Sequence, residues 1–98
     1  MNDDQKTDDE IKRGRNATAL IENPVFVEAF TKVRNGLVDS LERSAVGDKD
    51  AQHEIALCLQ LLKRVHGHIA EVAQTGRLAL LQKQERESWL KRTMRKVA

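Results

Sequence analysis

Apolar residues recur at alternating steps of four and three between residues 48 and 75. The positions are Ala51, Ile55, Cys58, Leu62, Val65, Ile69 and Val72. This spacing lines one side of an α-helix and predicts that the helix packs against another helix along its whole length. Asp48 is a suitable N-cap and Gly76 a suitable C-cap glycine. Whether the helix ends at Gly76 or continues through it stays open at this point.

A second helix with the same spacing is predicted to begin at Pro24. Its apolar face is formed by Phe26, Phe30, Val33, Leu37 and Leu41 and ends at Ser44. Asn23 precedes a proline, which favours extended backbone, and it can cap the new helix. Because the link to the helix at Asp48 is short, the two helices are expected to form an antiparallel hairpin. We expect Phe26 to lie opposite Gly67, and Phe30, Leu62 and the Cys58 thiol to be buried.

The composition supports an all-α fold. Aromatic residues make up 3 % of the chain, there is one proline, and charged residues make up 33 %. The charged first residues can bury too little apolar surface to offset the entropy lost on ordering, so they are predicted to be disordered. The predicted organisation is a disordered arm over 1–15, a helical hairpin domain over 16–81 and a basic amphipathic helical segment over 82–98.

Several leucines lie outside the predicted hairpin contact, because two helices cannot bury two faces of one of them. Either a third helix folds back from Leu78, or other copies of the chain cover the second face. We favour a homo-oligomer. Self-association is predicted at Leu57, Leu61, Leu78 and Leu81.

Charge is distributed unevenly along the chain. Residues 1–10 carry five acids and one lysine, and residues 82–98 carry six bases and two acids. The basic segment suits phosphate contacts with one stacking ring, or docking to a protein through apolar anchors, or it is a solvated terminus. Partner or nucleic-acid contacts are predicted at Lys83, Arg86, Trp89, Lys91, Arg92, Arg95 and Lys96, with Leu90 and Met94 as further anchors for a protein.

The sequence favours neither an enzyme nor a cofactor or metal site. His66 and His68 are two residues apart, so on a helix they point away from each other. No glycine-rich phosphate loop follows a strand. A single cysteine indicates a reducing compartment, the aspartates near the start are unlike a signal peptide, and no apolar run reaches the length of a membrane span.

Residues 17–81 resemble small helical proteins encoded by tailed bacteriophages. The resemblance lies in residues 19–26 (ALIENPVF), 29–30, 33–34, 61–65 (LLKRV), 67–69 and 75–79 (TGRLA). It implies a role beside head and structural genes, in the host cytoplasm and the virion, with other phage structural proteins as partners. We therefore expect a non-enzymatic structural or assembly protein that self-associates. The alternative is a small nucleic-acid-binding or regulatory protein that uses the basic segment.

Overall fold

A computed structural model describes residues 3–97, which form three α-helices. Helix α1 spans Asp3–Glu22, α2 spans Pro24–Arg43 and α3 spans Lys49–Val97. No strand occurs within residues 3–97. The prediction of an all-α protein is confirmed.

Asn23 separates α1 from α2 as the sequence predicts. Its backbone is extended, with φ −65° and ψ 124°. The Asn23 Oδ1 atom accepts hydrogen bonds from the backbone N–H groups of Val25 (2.9 Å) and Phe26 (3.2 Å). Pro24 follows as the first helical residue, where its missing N–H costs nothing. One polar side chain followed by proline therefore ends one helix and begins the next.

The connection from α2 to α3 is closed by side chains that bond to the backbone. The Ser44 hydroxyl donates to the carbonyl oxygen of Leu41 at 2.7 Å. Asp48 Oδ1 accepts from the N–H of Ala51 at 3.1 Å, which is the N-cap bond predicted for it. The Gln52 side-chain amide donates back to the carbonyl oxygen of Ala45 at 2.9 Å. The Asp48 bond satisfies one of the N–H groups at the start of α3 that lack a partner within the helix. The other two bonds add a second donor to carbonyl oxygens that already accept a backbone N–H.

The chain divides into two compact units, which are described separately. The terminal unit comprises residues 3–18 and 70–97, and the central unit comprises residues 19–69. The terminal unit thus pairs most of α1 with the second part of α3. The central unit contains α2 and the first part of α3.

In the terminal unit, α1 and α3 meet at two glycines. A Cβ atom built on Gly14 would lie 2.5 Å from the Cα of Gly76, and one built on Gly76 would lie 2.6 Å from the Cα of Gly14. No real side chain fits at such a distance, so both positions require glycine. The apolar residues buried around this crossing are Ile11, Ala17, Ala73 and Ala79. Helix α3 continues through Gly76, and the reason for a glycine there is close approach rather than helix termination.

The prediction that residues 1–15 form a disordered arm is wrong for residues 3–15, which are helical. The reason is that this segment buries small residues and one isoleucine against α3, which requires no broad apolar face. Residues 1 and 2 lie outside the described residues. No helix begins or ends at residue 15 or 81. The segments 1–15, 16–81 and 82–98 are therefore not separate helices, and whether they behave as domains stays a prediction.

In the central unit, the contact face of α3 departs from the predicted stripe at two positions, Cys58 and Val65, which are exposed. The ring of Phe30 lies 5.4 Å from the ring of His66, and the groove beside them is lined by Leu59 and Leu62. Cys58 is exposed, so the prediction of a buried thiol is wrong. The four-three spacing is kept, but Leu59 and His66 take the places expected for Cys58 and Val65.

Packing in the central unit is shallow. Phe30 and Leu62 are half-buried rather than fully buried, and none of residues 19–69 is buried. A Cβ atom at Gly67 would meet nothing within 4 Å, so the prediction that Phe26 presses on Gly67 is wrong. The aromatic contact of Phe26 is instead with Phe30 on the same helix, at 5.4 Å between ring centroids.

Candidate interaction surfaces

The central unit carries an exposed apolar strip on α3. It consists of Leu57, Cys58, Leu61 and Val65, and we call it the leucine strip. Leu57 is 45 % exposed, Leu61 60 % and Val65 54 %. At about 100° of rotation per residue these side chains fall within about 100° of the helix circumference. They therefore form one continuous surface, which includes two of the four residues predicted for self-association.

A groove lies next to the contact between α2 and α3 in the central unit. Its volume is about 770 Å³. It is lined by Phe30, Arg34, Val38, Leu59, Leu62, Lys63, His66 and Gly67. The lining is mostly apolar and includes the basic residues Arg34 and Lys63. A groove of this character accepts a helix or an apolar side chain better than a small polar substrate.

The other two predicted self-association residues belong to the terminal unit. Leu78 is 50 % exposed and Leu81 is 55 % exposed. They lie on α3 outside the buried row of Ala73, Gly76 and Ala79, so α1 does not cover them. Leu81 also lines a shallow groove with Trp89, whose ring is 57 % exposed. The terminal unit therefore presents a second apolar surface on α3.

The acidic start of α1 pairs with the beginning of the basic segment. Lys83 Nζ lies 2.9 Å from Asp8 Oδ1, and an Arg86 guanidinium nitrogen lies 3.3 Å from Asp4 Oδ1. The hydrogen bond to Asp8, together with its negative charge, raises the pKa of Lys83 above 10.5. All four side chains remain substantially exposed, so solvent screens both ion pairs and each contributes little to stability. The ion pairs bring together the acidic start of α1 and the basic segment, whose contact was not predicted from the sequence.

The remaining bases of the segment lie farther along α3. Lys91, Arg92, Arg95 and Lys96 are exposed, and within residues 3–97 none of the four forms an ion pair. Leu90 is 45 % exposed and Met94 71 % exposed. The seven predicted contact residues therefore divide into two bases that are already paired, four that are not, and one exposed tryptophan.

The candidate metal ligands in the described part of the chain are its histidine, cysteine, aspartate and glutamate side chains. Among residues 3–97 no group of three His, Cys, Asp or Glu side chains is placed to hold a metal ion. His66 contacts the ring of Phe30. No helix in this part of the chain combines the length and apolar character that a membrane crossing requires.

Sequence reasoning missed two features of these surfaces. It did not place Asp4 and Asp8 against Arg86 and Lys83, and it did not pair Gly14 with Gly76. The signals were present: opposite charges at the two ends of the chain, and small residues spaced by three at Gly14 and Ala17 and again at 73, 76 and 79. Comparison with known protein families, with curated proteins and with solved structures finds no match.

Proposed function

We propose that the protein is a non-enzymatic, self-associating helical protein that serves the structure or assembly of a bacteriophage particle. In this proposal the central unit is an antiparallel helical hairpin, and other copies of the chain cover the leucine strip. The observation that carries the proposal is that none of residues 19–69 is buried, although this unit contains many large apolar side chains.

The physical argument rests on what a small domain needs to stay folded. A unit of this size retains only a small surplus of stabilisation even when its core is well filled. Here Leu57, Leu61 and Val65 are about half exposed instead of filling a core. Burying each such side chain on association contributes about 1 kcal/mol or more. A second copy of the chain is the simplest partner for the leucine strip, because the strip can pack against the same strip of that copy across a two-fold axis.

The association is tested by light scattering coupled to size exclusion, over a range of protein concentrations. The wild type is expected to be an oligomer at tens of micromolar, about 10–100 μM, and its Tm is expected to rise with concentration because association stabilises the folded state. The variant Leu57→Glu plus Leu61→Glu is expected to be monomeric with a lower Tm.

The matched control is Ala56→Glu plus Gln60→Glu. These exposed residues add the same charge to neighbouring positions of α3 but lie outside the leucine strip. The control is expected to keep the oligomer. A wild-type monomer at all concentrations, or equal dissociation of both double variants, would contradict association through the strip.

The phage role rests on the resemblance of residues 17–81 and needs a separate experiment. The protein is expected to sediment with phage heads or their precursors in an infected-cell lysate, in the host cytoplasm before release. The Leu57→Glu plus Leu61→Glu variant is expected to remain in the soluble fraction. Absence of the wild type from particles and precursors would contradict the phage role without bearing on self-association.

A further inference from the structure

The last turns of α3 carry a positive surface that the acidic start of α1 does not neutralise. Lys91 and Arg95 are four residues apart, as are Arg92 and Lys96, so the four bases share one broad face of the helix. They follow the Asp4–Arg86 ion pair by five to ten residues. At about 1.5 Å per residue, the nearest backbone position is about 7.5 Å beyond that pair. We call this face the cationic end.

We propose that the cationic end binds the phosphate backbone of double-stranded nucleic acid. This inference concerns a surface separate from the leucine strip and does not depend on the proposed function.

The density of charge favours a nucleic acid as the partner. Four bases occupy six residues, or about 9 Å of helix axis. Duplex DNA carries one negative charge per about 1.7 Å of its axis when both strands are counted, which is about five charges over the same length. The density of bases on the cationic end is therefore similar to the density of phosphates on the duplex. Trp89 lies two residues before the cationic end and, at 57 % exposure, adds an aromatic side chain beside the backbone contacts.

An anionic membrane surface fits less well. A helix that lies in a membrane interface needs a long apolar face opposite its bases. Among the described side chains near the cationic end, only Leu90 and Met94 provide large apolar groups away from the bases, at 45 % and 71 % exposure. Two such side chains are too few to hold a helix in the acyl region, so binding would depend on charge alone.

The acidic residues of α1 pair with two further bases that do not belong to the cationic end. At about 100° of rotation per residue, Lys83 and Arg86 lie at least about 80° from each of the four bases, on the other side of α3. Carboxylates stand 2.9 Å and 3.3 Å from them. A duplex bound at the cationic end is therefore expected to make four phosphate contacts and to leave these ion pairs in place.

The experiment is a salt titration of binding to a fluorescent DNA duplex of mixed sequence, followed by anisotropy between about 50 mM and about 200 mM salt. The slope of log K against log salt is about −0.9 per phosphate contact. Four contacts predict a slope of about −3.6 for the wild type. The variant Asp4→Asn plus Asp8→Asn removes the acidic partners of Lys83 and Arg86, and its slope is expected to stay near about −3.6, because these two bases face away from the duplex.

Two controls distinguish binding at the cationic end from an effect of the net charge of the protein. Asp39→Asn plus Glu42→Gln makes the same change in net charge on exposed positions of α2 and is expected to leave the slope unchanged. Replacing Lys91, Arg92, Arg95 and Lys96 by Ala is expected to abolish binding at about 200 mM salt, whereas replacing the exposed Lys12, Arg13, Arg15 and Lys49 by Ala is expected to retain the slope. Far-UV circular dichroism verifies that each variant stays helical.

Several results would overturn the inference. These are absence of duplex binding at about 50 mM salt, equal losses from the two four-base variants, and a slope of about −5.4 in Asp4→Asn plus Asp8→Asn. Binding to phosphatidylserine vesicles without binding to the duplex would assign the surface to membranes and would also overturn it.

Discussion

Replacing Gly76 by alanine tests the close contact between α1 and α3. A methyl group at this position would lie 2.6 Å from the Cα of Gly14 and 2.9 Å from the carbonyl oxygen of Glu10. Both neighbours are backbone atoms of a helix and cannot rotate away as a side chain could. The helices must therefore separate, which opens gaps beside the buried Ala73 and Ala79.

Two opposing effects set the magnitude. Alanine is favoured over glycine inside a helix by about 1 kcal/mol. Overpacking of a tight contact costs about 1–3 kcal/mol where side chains can adjust, and rigid backbone neighbours place Gly76 at the upper end of that range or above it. We expect a net destabilisation of about 1–2 kcal/mol, or a fall in Tm of about 4–15 °C.

Gly67 provides a matched control on the same helix. A Cβ atom there would meet nothing within 4 Å, so the effect of Gly67→Ala on stability should reflect only the higher helix propensity of alanine. It is expected to stabilise the protein by about 1 kcal/mol and to raise Tm by about 4–8 °C. The two glycine-to-alanine substitutions, nine residues apart, are thus expected to have opposite effects on the free energy of unfolding.

The assay combines thermal unfolding with hydrogen exchange. Gly76→Ala should accelerate amide exchange within residues 3–18, because that segment loses its contact with α3. Gly67→Ala should leave this exchange unchanged. If Gly76→Ala raises Tm as much as Gly67→Ala does, the close approach of Gly14 and Gly76 is refuted.

Three further predictions concern the ends of α1 and the ion pairs. Deleting residues 1–14 should lower Tm and expose Ala73, contrary to the expectation from sequence that this segment is disordered; an unchanged Tm would refute its packing. Asn23→Ala should cost about 1 kcal/mol in chemical denaturation because two N–H groups lose their acceptor, whereas Asn23→Asp should retain most of the stability. The raised pKa of Lys83 means that its pairing with Asp8 contributes stability that is fully present below pH 10.5 and is lost as the pH rises through the higher folded-state pKa. The small decline of Tm in that range should be absent in Lys83→Met.

Periodicity and capping residues predicted most of the helical pattern. The step of four and three, Asn23 before Pro24, and Asp48 after the connection each placed a helix correctly. These signals act within one or two turns, so they can be read without knowing what the helix contacts. These signals do not determine which side of the helix makes the contact. The same four-three spacing runs through either Cys58 or Leu59, and the contact of Phe30 with His66 shows that the second alternative is the one that occurs.

The role of α1 could not be read from hydrophobic periodicity. Its contact face consists of Ile11, Gly14 and Ala17, and glycine and alanine do not stand out as an apolar stripe. Its charge also suggested solvation, because the bases that face Asp4 and Asp8 lie more than 70 residues later in the chain. Small-residue contacts and long-range ion pairs are properties of two segments together, and neither segment shows them alone.

These two kinds of contact explain how α1 keeps a single register on α3. The pairs Asp4–Arg86, Asp8–Lys83 and Gly14–Gly76 have residue numbers that add to 90 or 91, as one antiparallel alignment requires. A slide by one helical turn would bring a larger side chain against Gly14 or Gly76 and would break both ion pairs. The glycines supply most of this discrimination, because a clash with backbone costs far more than an exposed ion pair contributes. The ion pairs favour the same alignment at the start of α1. The leucines on α3 outside this contact remain available for association.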